Sequence, residues 1–308
     1  MAIITINGRK LNVPDGKNIL DAALENNIYI PHLCHHPDLK PAGSCRMCVV
    51  EVEGEGVTSS CTLKARDGLV INTESEALTK LRMLALELLL TGHPEDCSTC
   101  PKYGNCELQT LIQYIGPKTG RLKMRNKGFL LNEDNPLITH DPNRCILCGR
   151  CVRACNELRG VKVLQFTKKD NETYVAALHE KLLADAGCRF CGACAEVCPT
   201  GTIMDKKRAG FENRSKADTI LPCKAACPAH TDVPRYLRYV NEGRYDDAAA
   251  VIREKAPFPH ALGMICNHAC ELDCKRRELN QAISIRDIKR FAAEQDTGAV
   301  WRKTSKQL

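Results

Sequence analysis

The sequence is poor in aromatic residues: Phe, Trp and Tyr make up 5% of 308 residues, with a single Trp. The other apolar side chains are mostly Leu, Ile, Val and Ala, so the cores are small and need a second source of folding free energy. Long uncharged apolar runs are missing too. The best candidate, Leu84 to Leu90, is broken by Glu87, which predicts a chain without a membrane partner. Met1-Ala2-Ile3-Ile4-Thr5 reads directly into a strand, so no secretory leader is expected. No G-x-G-x-x-G and no paired nucleophile and base occur. These absences predict no flavin or nucleotide in this chain and no catalytic residues or substrate site of its own.

Cysteine is what the sequence has in excess, with 20 residues. A chain expected in the cytoplasm keeps its thiols reduced, so clustered cysteines there mean metal rather than disulfides. The formal charge of +7 counts every thiol as neutral. Each ligated cluster site carries roughly −2, so the basic excess reads as compensation for buried anionic cofactors rather than as a nucleic-acid surface.

Two runs repeat one spacing. Cys145, Cys148, Cys151 and Cys155 form C-x2-C-x2-C-x3-C, and Cys188, Cys191, Cys194 and Cys198 form it again, followed by Pro199. This is the ligand pattern of paired [4Fe–4S] clusters, in which the fourth cysteine of each run serves the other cluster. Cys155 is therefore expected on the second cluster and Cys198 on the first. Zinc ribbons also use C-x2-C, but in pairs rather than in runs of four.

The first 78 residues read as a small β-rich domain. Ile3–Ile6 and Lys10–Val13 flank Asn7-Gly8, a hairpin signal. Asn18 can cap a helix reaching Asn26, and further strands are expected at 49–53 and 69–71. Cys45-x2-Cys48, with Cys34 before it and Cys61 after it, matches a [2Fe–2S] arrangement with a lengthened first gap, on a β-grasp ferredoxin pattern. His32, His35 and His36 are rival ligands there. A helix follows over 76–91, with Leu78, Leu81, Leu84, Ala85, Leu88 and Leu89 expected on its packed face. Next comes His93-x3-Cys97-x2-Cys100-x5-Cys106. One nitrogen and three sulfurs suit either structural zinc or a [4Fe–4S] cluster with one histidine, and the position between two iron–sulfur units favours the cluster.

Residues 111–140 read as a connector. Arg121, Lys123, Arg125 and Lys127 alternate along it as an edge strand or a docking surface. A hairpin is expected over 161–167 and 173–177, then a short helix from His179 to Ala186.

From these motifs the chain resembles, over residues 1 to about 210, the N-terminal iron–sulfur region of the large subunit of respiratory complex I. It equally resembles the N-terminal halves of NAD-linked [FeFe] hydrogenases and formate dehydrogenases. The resemblance implies a β-grasp [2Fe–2S] domain over 1–78, a His-ligated [4Fe–4S] domain over 79–118 and a two-cluster ferredoxin-like domain over 119–210.

From about 211 the pattern turns helical. Asp232 caps a helix ended by Gly243, Tyr245 to Lys255 is a second, and Ser284 to Gln295 a last. Cys223-x3-Cys227-Pro228, Cys266-x3-Cys270-x3-Cys274 and Ile285-Arg286-x2-Lys289-Arg290-Phe291 resemble the iron–sulfur domain of glutamate synthase small subunits and dihydropyrimidine dehydrogenase. Two-cluster versions carry a further C-x2-C where Ser215 and Asp218 stand here. That implies one [4Fe–4S] cluster over 211–308, on Cys227, Cys266, Cys270 and either Cys223 or Cys274. Arg276, Arg277, Arg286, Lys289 and Arg290 form a basic patch, read as screening of an anionic cluster or steering of an acidic partner rather than RNA or DNA binding.

The expected fold class is thus α+β and multidomain, with one [2Fe–2S] and four [4Fe–4S] clusters. The expected function is that of an iron–sulfur electron-transfer subunit of a soluble multisubunit NAD(P)H-linked oxidoreductase, of electron-bifurcating transhydrogenase, hydrogenase or formate dehydrogenase type. Its expected partners are flavin- and NAD(P)H-binding subunits, with ferredoxin as a further partner. The alternative of another class is a zinc-rich nucleic-acid-binding protein, which would be colourless and free of sulfide.

Overall fold

Asn7 and Gly8 both take left-handed backbone angles, φ 49° and 78°, which join β1 (Ala2–Ile6) to β2 (Arg9–Val13) as a tight hairpin. Along β1, Ala2, Ile4 and Ile6 face inward, and Leu11 and Val13 do so on β2, the two-residue period of a half-buried sheet. The computed structural model describes residues 1–117, 121–206 and 220–301. Gly120, Ser215, Asp218 and the expected domain junctions at 118/119 and 210/211 lie outside those residues.

Asn18 caps α1 (Ile19–Glu25), accepting from the Asp21 N–H at 2.8 Å. The sheet is completed by β3 (Val49–Val52), β4 (Gly56–Ser59) and β5 (Val70–Asn72), in the order β2-β1-β5-β3-β4. β1 and β5 run parallel and the other pairs antiparallel. Ile19, Leu20, Ala22 and Ala23 of α1 close one face of the sheet in a single core that also holds Cys48 and Cys61.

Ser75 caps α2 (Glu76–Leu90) by accepting from the Leu78 N–H. The helix stands where expected, and Leu78, Ala85 and Leu89 of its expected face pack inward, but the other half of that face does not. Leu78, Arg82, Leu86 and Glu87 are buried, whereas Leu81, Leu84 and Leu88 are exposed. Leucine occurs all round this helix, so hydrophobic periodicity alone did not choose a face. Polar anchors chose it: Arg82 donates to the Val49 carbonyl at 2.6 Å, and buried Glu87 accepts from Arg121 Nε at 2.9 Å. α3 (Glu107–Ile115) packs beside α2 and ends at Gly116 in the left-handed region.

The basic connector is no strand among the described residues. Arg121 pairs with Glu87, Arg125 with Glu172, and Lys127 donates to the Asn143 and Cys145 carbonyls. It is a strap tied inward by its charges. At the connector's end, β6 (Ile138–His140) pairs with β9 (Ile203–Asp205), and further on β7 (Leu164–Lys169) pairs with β8 (Glu172–Ala177). The short helices α4 (Arg150–Arg153) and α5 (Ala193–Glu196) lie between these strand pairs in the sequence. The helix expected over 179–186 is absent. A 3-10 turn, Leu178–Glu180, forms there, with His179 left-handed at φ 56°, and a hydrogen-bonded turn follows in which the Ala186 N–H donates to the Leu182 carbonyl at 3.0 Å. The stretch is too short to repay helix nucleation, and Leu183 instead packs among the cysteines of this core.

The C-terminal part is helical. The main helices are Val233–Asn241, Tyr245–Arg253, Pro259–Ile265 and Ile285–Glu294. Tyr236, Ile252, Ile285 and Ala292 form their core, with Cys270 inside it.

One buried ion pair ties α3 to α4. Arg150 is 2% exposed and holds Glu107 through two bonds of 2.7 and 2.9 Å. Removing the two partners should not cost the same. Glu107→Gln leaves a guanidinium buried without its counter-charge and is expected to cost about 3 kcal/mol. Arg150→Met leaves a carboxylate that reaches solvent and is expected to cost about 1 kcal/mol. Urea midpoints of the two variants, compared with the parent, give the ranking; equal losses would refute it.

Candidate metal centres

Cys34, Cys45, Cys48 and Cys61 are all buried at one end of the five-stranded sheet. Their sulfurs lie in two hydrogen-bonded pairs, Cys34 with Cys45 and Cys48 with Cys61. The Cys45 sulfur, by hydrogen bonding, pulls the Cys34 thiol down and is itself pushed up. Cys61 and Cys48 behave alike, with Cys48 pulled down by its hydrogen bond to Cys61. The Cys34 N–H donates to Cys45 Sγ at 3.5 Å. His35 is engaged elsewhere, its Nε2 2.7 Å from Asp21, and His32 Nδ1 lies 2.8 Å from the Ile30 carbonyl. His36 Nδ1 accepts from the Asp38 N–H.

His93, Cys97 and Cys106 line one cavity of about 340 Å³. The charge of Cys100 acts on Cys106. Burial, with help from Lys127 and Arg144, pulls His93 down to about 4, so its imidazole is neutral at neutral pH. Its Nδ1 is buried without a hydrogen-bond partner among the described residues. A neutral ring with an unpartnered nitrogen, in a cavity shared with Cys97 and Cys106, has the chemistry of a metal ligand. Gly201 presses on this site from the far side of the chain. A Cβ there would lie 2.8 Å from Cys100 Sγ, so the close approach requires glycine.

The ferredoxin-like runs exchange partners in space. Cys198 raises the thiols of Cys145, Cys148 and Cys151, after burial the main influence on Cys148, which reaches about 12. Cys155 lies instead with Cys188, Cys191 and Cys194, and these four line a second cavity. Backbone geometry repeats at both places. Leu147 and Phe190 are left-handed at φ 55° and 54°, and each donates its N–H at 3.4 Å to the sulfur two residues earlier, Cys145 or Cys188. His268, φ 46°, does the same toward Cys266 at 3.4 Å. A non-glycine residue in this region is uncommon, and donors turned onto sulfur are what a thiolate-bound cluster requires. Val163 donates to Cys155 Sγ at 3.3 Å.

In the helical part, Cys223, Cys227 and Cys266 all lie close enough to Cys270 to raise its thiol, which burial brings to about 12. The same four surround the buried Tyr236. Cys274 is placed differently, beside Cys223 and Arg159. Two residues of the basic patch turn toward this site: Arg286 donates to the Cys266 carbonyl at 3.4 Å, and the charge of Lys289 bears on Cys227. Arg276, Arg277 and Arg290 are bound elsewhere, to Asn280, the Leu272 carbonyl and Glu294.

Between sites stand arginines that cysteine spacing did not single out. Arg153 donates to the carbonyls of Cys34 at 2.5 Å and Cys148 at 3.3 Å. Arg144 grips Asp96 at 2.7 and 2.9 Å beside the His93 site. Arg159 faces Cys223. The signal was present in the sequence: Arg144, Arg150, Arg153 and Arg159 recur along the first cysteine run.

Comparison with known proteins follows this layout. Residues 1–76 match a 2Fe-2S iron-sulfur cluster binding domain. Residues 82–121 match the NADH-ubiquinone oxidoreductase-G iron-sulfur binding region. Residues 135–204 match the ferredoxin-like domain of NADH-quinone oxidoreductase subunit 3, and residues 213–300 the 4Fe-4S domain II of dihydropyrimidine dehydrogenase. A chain of the crystal structure of an NAD+-reducing [NiFe]-hydrogenase in the H2-reduced state aligns at TM-score 0.61 and 33% identity, covering 69% of this chain and 90% of that one. This chain belongs to the iron–sulfur subunit family of complex I and NAD-reducing hydrogenases.

Within that family, the NADP-reducing hydrogenase subunit HndD of Solidesulfovibrio fructosivorans is 39% identical over 212 residues, 67% of this chain and 36% of the relative. The NADPH-Fe(3+) oxidoreductase subunit alpha of Geobacter sulfurreducens is 36% identical over 232 residues, 74% of this chain and 26% of the relative. The mitochondrial NADH-ubiquinone oxidoreductase 78 kDa subunit of Candida albicans is 34% identical over 209 residues, 67% of this chain and 29% of the relative. The chain thus spans about a quarter to a third of the length of these curated relatives. It carries a 2Fe-2S domain and 4Fe-4S domains of the family. Among the described residues, no helix is long and apolar enough to cross a membrane.

Proposed function

We propose that this chain is the iron–sulfur electron-transfer subunit of a multisubunit NAD(P)H-linked oxidoreductase, working in the cytoplasm. The observation that carries the reading is that successive cysteine sites abut one another. Cys34, Cys45, Cys106 and Cys148 share one apolar cluster. Cys194 lies close enough to Cys151 to raise its thiol, and Cys191 and Cys223 line the same cavity.

Four units are proposed: a β-grasp [2Fe–2S] domain over 1–78, a His-ligated [4Fe–4S] domain over 79–118, a two-cluster domain over 119–210 and a helical one-cluster domain over 211–308. In the first unit Cys34, Cys45, Cys48 and Cys61 hold the cluster; in the second, His93, Cys97, Cys100 and Cys106. The third uses Cys145, Cys148, Cys151 and Cys198 for one cluster and Cys188, Cys191, Cys194 and Cys155 for the other. For the fourth, the neighbours of Cys270 favour Cys223 beside Cys227 and Cys266, leaving Cys274 spare. When bound, iron–sulfur clusters supply one-electron chemistry at potentials set by charge, hydrogen bonds and exposure. The chain's residues exclude water, hold the thiolates and aim N–H donors at them. The helical unit then faces a flavin on a partner subunit or in a further domain. The NADPH-, NADP- and NADH-linked names of the relatives agree with such a partner. Electron-bifurcating transhydrogenase, hydrogenase and formate dehydrogenase complexes are the candidate settings.

The test is metal and acid-labile sulfide analysis of the full chain purified without oxygen. A brown protein with about eighteen irons and as many sulfides is expected, from one [2Fe–2S] and four [4Fe–4S] clusters. Cys274→Ser should keep that number and Cys223→Ser should lower it by about four. A colourless protein holding zinc alone would overturn the reading, and loss of iron from Cys274→Ser instead would move the fourth ligand.

A further inference from the structure

Arg159 stands at the seam between the site of Cys188, Cys191, Cys194 and Cys155 and the C-terminal cysteines. Its side chain is 9% exposed. One end of the guanidinium donates to the Ile220 carbonyl at 2.7 Å and the other faces Cys223 Sγ at 3.9 Å. Its Nε is buried with no partner among the described residues. Among the described residues no carboxylate pairs with it, in contrast to Arg144, which holds Asp96, and Arg150, which holds Glu107.

The backbone leaves Arg159 little freedom. Gly160, φ +63°, is pressed by Arg238, whose Cδ would be 2.3 Å from a Cβ at that position. Arg159, Cys191, Cys223 and Cys274 line one cavity of about 70 Å³. Asp273 lines it without an ion pair to Arg159, and Lys275 lines it while engaged with Asp205 and Glu278. A buried cation without a counter-charge is costly, and in folded proteins such a charge is paired. Here sulfurs stand on both sides, Cys191 and Cys223, and Arg189 and Arg276 line the same cavity as further cations.

We infer that Arg159 is a positioning residue shared by two iron–sulfur sites, its one charge offsetting negative charge on either side of the seam and raising both reduction potentials together. The inference rests on the electron-transfer reading above and adds to it a residue that sets the potentials at the passage into the helical unit. Coulomb attraction from one fixed charge favours the more negative, reduced state of each neighbouring cluster.

The experiment is an EPR-monitored redox titration of the full chain, purified without oxygen, with iron counted in each variant. Arg159→Gln is expected to lower the reduced-to-oxidised ratio of both flanking clusters about tenfold at a fixed poise, which is ~59 mV for a one-electron couple. The signals assigned to the Cys34 and His93 sites should hold their potentials. Arg159→Lys, which keeps the charge and loses the planar fork, should stay near the parent. Full iron with unchanged potentials in Arg159→Gln would overturn the inference, as would an equal shift of every cluster. If Arg159→Gln loses iron, Arg159→Lys decides: iron and potentials retained support a role for the charge, whereas iron lost there too shows a packing role and overturns it. A parent protein without iron would instead defeat the electron-transfer reading itself.

Discussion

Cys155→Ser is expected to disrupt the cluster built on Cys188, Cys191 and Cys194, while the cluster built on its own neighbours, Cys145, Cys148 and Cys151, survives. Along the chain Cys155 closes the first run, and a local reading would have it complete the nearer cluster. In space it lies with the second run. Its sulfur lines the cavity of Cys188, Cys191 and Cys194, and the charge of Cys191 is felt by its thiol. Cys198 in turn lies among the first three cysteines of the first run. Serine oxygen is a poorer ligand for iron than thiolate, so the altered site should lose about four irons or convert to a smaller cluster. The reciprocal variant, Cys198→Ser, should damage the other site. Iron analysis with EPR of the reduced protein reads both. Damage to the nearer cluster in each case would show that the runs do not cross.

His93→Cys is expected to keep about four irons at its site and to lower the reduction potential there. The argument is electrostatic. The imidazole is neutral, because burial holds it well below its ordinary pKa, at about 4. A cysteine ligand is a thiolate, so the substitution adds one negative charge next to the cluster and disfavours its reduction. The scale is on the order of 100 mV, judged from the rise that histidine ligands give Rieske centres over all-cysteine ones. A redox titration followed by EPR measures it. An unchanged midpoint and unchanged spectrum would remove His93 from the ligand set. Loss of all iron from the Cys97, Cys100 and Cys106 site would show that the cavity of about 340 Å³ accommodates only the imidazole.

Much of the fold was legible because its signals are local. Asn7-Gly8 closed its hairpin, and Asn18 and Asp232 capped their helices. The hairpin over 161–177 formed around Asp170 and Asn171, both left-handed, although its first strand begins at Leu164. Signals that depend on contrast failed. Leucines all round α2 left its buried face undefined, and the choice fell to Arg82 and Glu87. The basic residues from Arg121 to Lys127 alternate as in an edge strand, yet their partners are Glu87, Glu172 and the Asn143 and Cys145 carbonyls, all distant in sequence.

The sequence by itself determined the chemistry of the sites. A cluster's ligands follow from short fixed spacings, because a C-x2-C loop must wrap one inorganic core, and such spacings are written in consecutive residues. They carry the family and the iron–sulfur character of the chain. Only the tertiary structure decided how the sites meet. Arg153 reaches the Cys34 carbonyl across 119 residues of chain, and Arg159 faces Cys223 across 64. Gly201 lies on Cys100 from a loop that shares no motif with it. No local pattern encodes these contacts, because a buried guanidinium is placed by whatever carbonyls, carboxylates and sulfurs the packed core brings within its reach.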